Sequence, residues 1–79
     1  MENYSRLILN KISQHAEGER RANLISVLNV QLNDPIKAEL AVAKILKMLI
    51  NDGYLVEDKG KYLFRSPLLK DFWFNRFVK

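Results

Sequence analysis

The chain has no cysteine, one histidine, three glycines and two prolines in 79 residues, and each scarcity closes off a class of chemistry or architecture. Without cysteine there are no disulfides and no thiolate metal sites, so packing alone must hold the fold. His15 is the sole imidazole. A Cys-His pair is impossible, a Ser-His-Asp arrangement would hang on one helix-face ring, and zinc would need carboxylates in place of the usual ligands. His15 is read as a partly buried packing residue, and neither catalysis nor any cofactor or metal is implied. The glycines, Gly18, Gly53 and Gly60, do not form the G-x-x-x-x-G-K-[ST] phosphate loop. No apolar run approaches the roughly 20 residues needed to cross a bilayer, and no signal-peptide core is visible at the start, which points to a cytoplasmic, non-membrane location.

What remains is a small, mildly basic chain. Its 48% hydrophobic content suffices for one compact core, so residues 1–79 are read as a single domain. Thirteen Lys and Arg against nine Asp and Glu give a net charge of +4. Such an excess suits a polyanionic partner, and equally suits an ordinary surface kept away from neutrality.

The informative stretch is Asp52 to Trp73, DGYLVEDKGKYLFRSPLLKDFW. Asp52-Gly53 stops an apolar helix. Tyr54-Leu55-Val56 and Tyr62-Leu63-Phe64 have strand composition, and the charged connection 57–61 carries Gly60 for the turn. Ser66 and Pro67 then have N-cap and first-position chemistry for a new helix.

Upstream, residues 3–16 place Tyr4, Leu7, Ile8, Ile12 and His15 at helical spacing, with Gly18 as the stop. Arg20 and Arg21 lead to Asn23, a candidate N-cap, in a link that can add a third strand to the hairpin. Residues 24–32, LISVLNVQL, suit an alternating reading as well as a helix. The helix is preferred because Leu24, Ile25 and Leu28 share a face. Asp34 and Pro35 start a long third helix, whose core face is predicted to be Ala38, Val42, Ile45, Leu46, Leu49 and Ile50. Lys37, Ala41, Lys44 and Met48 lie opposite, beside Leu40 and Lys47.

Helix, helix, helix, hairpin, helix defines a mainly α (α+β) chain with a small antiparallel hairpin, a winged helix-turn-helix. The last helix, 67–78, is apolar around most of its circumference, which implies burial on two sides or a covered partner face.

The segment LINDGYLVEDKGKYLFRSPLLKDFWFNRF, residues 49–77, resembles the C-terminal winged-helix segment of prokaryotic P-loop ATPases of the AAA+ and STAND type. The resemblance is carried by Asp52, Gly53, Tyr54, Leu55, Tyr62, Phe64, Arg65, Ser66, Pro67, Leu68, Leu69 and Trp73. It covers about the last third of the chain well; the first two thirds agree only in helix order. It implies that this chain is a C-terminal domain or fragment of a larger nucleotide-driven regulator. ATPase chemistry does not come with it, since the phosphate loop is missing.

Two functional readings follow. In the first, the third helix enters a DNA major groove, with Asn33, Lys37 and Lys44 at bases and phosphates, Lys59 and Lys61 of the wing on adjacent backbone, and Arg20 and Arg21 adding phosphate contacts. That helix offers Lys, Ala, Leu and Met where base-reading helices present Arg, Asn or Gln, so the same lysines also fit a merely solvated face. In the second reading the chain is a protein-docking module. Leu40 and Met48, with Phe74, Phe77 and Val78 on the outer side of the last helix, would then be covered by an ATPase core or another protein.

Overall fold

The structure is a computed structural model describing residues 2–79, and residue 1 lies outside it. Its elements are α1 (Glu2–Ser13), β1 (Glu19–Arg20), α2 (Arg21–Leu32), α3 (Pro35–Asn51), β2 (Leu55–Asp58), β3 (Lys61–Phe64) and α4 (Pro67–Trp73), continued by a π-helical turn, Phe74–Val78. The three strands form one antiparallel sheet in the order β1-β3-β2. Four helices and this small sheet make the α+β winged-helix arrangement expected from the element order.

Local chemistry sets most boundaries. Asp34 caps α3, its Oδ1 accepting from the amides of Ile36 and Lys37 at 3.1 and 3.2 Å, with Pro35 at the first helical position. At the far end the amide of Tyr54 donates to the Leu49 carbonyl and that of Gly53 to the Ile50 carbonyl, a Schellman closure. Ser66 Oγ accepts from the Leu69 amide at 3.5 Å and starts α4 behind Pro67.

Other boundaries differ from the sequence expectation. Helix α1 ends at Ser13 rather than at 16, because the Gln14 and His15 amides turn back to the carbonyls of Lys11 and Ile12. The tightened turn aims the chain at the sheet. His15 is therefore exposed, not packed, and its Nε2 lies 3.2 Å from Glu19 Oε2. Asn23 is not an N-cap: α2 starts at Arg21, and the Asn23 amide donates to Glu19 Oε1 at 2.6 Å. Tyr54 stays outside β2, while Glu57, Asp58 and Lys61 join the strands and leave only Lys59-Gly60 as the turn.

Both turn residues have positive φ, 52° and 82°, as a type I′ hairpin requires. Lysine pays for that conformation with Cβ crowding that asparagine tolerates better. Lys59→Asn is expected to stabilise the domain by about 0.5 kcal/mol, raising Tm by a few degrees in a thermal melt. A lowered Tm would mean that the turn is not of this type.

The core is shared by every layer. Ile8, Leu9 and Ile12 of α1 meet Leu24 and Leu28 of α2, five residues of α3, and Leu55, Tyr62 and Phe64 of the sheet. Helix α3 contributes Ala38, Val42, Ile45, Leu46 and Leu49, whereas Ile50 is 38% exposed at the helix flank rather than buried. Helix α4 buries nothing completely; Leu69 and Trp73 pack on the core from outside. Trp73 is tied to α1 by its Nε1–H, which donates to Asn10 Oδ1 at 2.6 Å. In the π turn the Lys79 amide bonds the Phe74 carbonyl, five residues back, and the widened spiral lays Phe77 on Trp73 with centroids 4.3 Å apart. The Arg6 guanidinium of α1 caps Phe77 at 4.9 Å.

Candidate nucleic-acid interface

Helices α2 and α3 are joined by two residues, Asn33 and Asp34. Asn33 takes the left-handed conformation, φ 51°, which Asn enters more readily than most residues, and its amide closes α2 on the Asn29 carbonyl at 2.7 Å. So tight a link forces α3 across α2 and leaves one long side of α3 without protein cover. On that side Lys37, Leu40, Lys44, Lys47 and Asn51 follow one another at three- and four-residue spacing, all exposed. The row lies nearly opposite the buried row Ala38, Val42, Ile45 and Leu49. At 1.5 Å per residue it extends about 21 Å.

Its electrostatics are one-sided. Three lysines and no carboxylate occupy the row, and among the described residues none of these lysines has an ion-pair partner. Asp34 is occupied in capping, and Glu39 projects from the helix about a third of a turn from the lysine row.

The remaining candidates are spread over the same chain ends and wing. Arg20 is exposed on β1, aligned with Lys61 of β3, which in turn faces Asp58 of β2. Lys61 is half-buried and 3.8 Å from Glu17 Oε2, so two carboxylates already neighbour it. Lys59 is the exposed cation of the wing tip, and Arg21 is exposed at the first position of α2. Lys37, Leu40 and Lys44 are thus brought together, Arg21 and Lys47 line one groove beside them, and Lys59 stands apart on the wing. Lys47 was missing from the sequence-derived set although its spacing from Lys44 would have found it.

Of the apolar candidates, Leu40 is 66% and Met48 40% exposed. Phe74, Phe77 and Val78 are half-buried instead of outward, because the π turn folds Phe77 back under Arg6. The outward apolar pair on the last helix is Leu68 and Phe72, 81% and 58% exposed.

Glu19 ties β1 to the first turn of α2. Burial pushes its carboxyl up, but the Asn23 side chain, the Arg20 amide and the charges of His15 and Lys11 outweigh burial and hold it below the ordinary value. Lowering gives a stabilising term that is complete above the ordinary carboxylate range and lost as pH falls through the folded-state value. Glu19→Gln is expected to cost roughly 1–2 kcal/mol at neutral pH. Thermal melts of the two proteins should converge as the pH falls below the ordinary carboxylate range; parallel curves would refute this role.

Among the described residues no helix is long and apolar enough to cross a membrane. No family model, curated protein or solved structure matches this chain.

Proposed function

We propose that this domain is a non-catalytic binding module that holds double-stranded DNA through α3, with little preference for sequence. The carrying observation is the uncompensated row Lys37, Leu40, Lys44, Lys47, about 15 Å long, on the second helix of a helix-turn-helix. A major groove about 12 Å wide accepts such a helix. Lysine neutralises phosphate without reading a base edge, and Leu40 can only meet thymine methyls, so affinity comes from the backbone and sequence discrimination is small. Lys59 on the wing and Arg20 on the edge strand β1 would meet neighbouring phosphates. The resemblance of residues 49–77 to the winged-helix segment of P-loop ATPases supports a place at the end of a nucleotide-driven regulator, to which this module would supply attachment.

Fluorescence anisotropy with two unrelated duplexes of equal length, across a salt series, tests the reading. Both should bind with similar affinity, and log affinity should fall linearly with log salt. Absence of binding at roughly 50 mM salt would remove it.

A second reading is supported by Leu68 and Phe72, which stand one helical turn apart and outward on α4. They favour a protein surface, such as an ATPase core, lying on that side of the domain. The two surfaces occupy different helices, so one module can use both.

A further inference from the structure

Between the first turn of α2 and the second half of α3 lies a groove of about 250 Å³ whose polar lining consists of Arg21, Lys47, Asn51 and Tyr62. No Asp or Glu lines it. Arg21 and Lys47 come from different helices and have no ion-pair partner among the described residues. Both are exposed, and no carboxylate in the groove lining balances them.

Tyr62 adds a hydrogen-bond donor from the sheet. The residue is only 7% exposed, on the core side of β3, yet it lines this groove, and its hydroxyl makes no hydrogen bond within the described residues while keeping access to solvent. An accessible hydroxyl with no protein partner is free to donate to a group that enters the groove. Glu19 and Glu57 are its cross-strand neighbours, but neither lines the groove, and Glu19 is already held by Asn23 and Arg20.

We propose that this groove is an oxyanion subsite for a phosphate group, neutralised by Arg21 and Lys47 and hydrogen-bonded by the Tyr62 hydroxyl and the Asn51 amide. Arg offers a fork to phosphate oxygens, and the other three groups add donors around it. The subsite rests on the duplex-binding reading for its source. Lys47 belongs to the α3 row, so a phosphodiester of a duplex lying along that row would enter here. Free phosphate has the same chemistry, and the experiment separates the two.

Tyr62→Phe deletes one hydroxyl and keeps the buried ring, while Lys47→Ala trims an exposed chain, so both variants retain the fold. In one arm, ¹⁵N-labelled protein is titrated with inorganic phosphate against chloride at equal ionic strength. Saturable shifts are expected at the amides of Arg21, Lys47, Asn51 and Tyr62, weakened roughly three- to tenfold in Tyr62→Phe. In the other arm, duplex anisotropy is read across salt. Lys47→Ala should lower the salt slope by about one, whereas Tyr62→Phe should weaken binding and leave the slope unchanged.

A duplex response in the variants without a free-phosphate response supports the backbone source. Saturable phosphate binding without duplex binding keeps the subsite and removes the duplex reading. If the wild type binds duplex but neither variant changes affinity or slope and phosphate moves no groove amide, the subsite is overturned while the Lys37 and Lys44 face stands. Silence in both arms overturns both.

Discussion

Lys37→Glu combined with Lys44→Glu is expected to weaken duplex binding by on the order of 100-fold at low salt and to flatten the salt slope by about two. Each substitution removes a cation from the exposed row of α3 and puts an anion in its place. Loss of folding does not confound the result. Lys37 is the third residue of α3, in the turn where the helix dipole favours a carboxylate, so Glu there should add a few tenths of a kcal/mol. Lys44 is exposed in mid-helix and replaceable by Glu, another good helix former. The double variant should therefore melt within a few degrees of the wild type, and calorimetry beside the anisotropy titration checks both halves. Unchanged affinity would overturn the contact through α3.

Gly18→Ala is expected to be the most damaging single methyl in the molecule. A Cβ on Gly18 would fall 2.6 Å from Leu63 Cγ and 2.8 Å from the Tyr62 carbonyl oxygen, and the residue has φ +89°. The side chain of Leu63 can yield; the backbone of β3 cannot without breaking its pairing with β1. Positive φ costs about 1–2 kcal/mol and the collision a similar amount, together about 3 kcal/mol. A domain of this size has roughly 4–12 kcal/mol in all, so a Tm fall of about 15 °C follows. Gly60 gives the control, since it has φ +82° and nothing within 4 Å of the added Cβ. Gly60→Ala should lose only the conformational part, about 1 kcal/mol. Equal losses in urea unfolding of the two variants would show that β1 does not lie against β3 as described.

The candidate site was legible in part. Lys37, Leu40 and Lys44 could be placed on one exposed face from helical period alone, because a 17-residue helix with a proline start fixes the direction of every side chain relative to its core row. Lys47 was open to the same arithmetic but was left out of the site. The groove that joins it to Arg21 and Tyr62 did not, since those three come from separate elements and meet only after α2 has crossed α3 and β3 has paired with β1.

The division has a physical cause. Signals that act within about four residues were decided by the sequence itself: the Asp34-Pro35 and Ser66-Pro67 helix starts, the Asn51-to-Tyr54 closure and the hairpin around Gly60, all made from local hydrogen bonds and dihedral limits. Tertiary packing decided what no window of that length contains. It ended α1 at Ser13 so that Glu19 could reach Tyr62, gave Gly18 a collision to avoid instead of a helix to stop, and left Ile50 at the flank. It also turned Phe77 inward and Leu68 and Phe72 outward, because a helix apolar on most sides shows its buried face only once a neighbour has covered it.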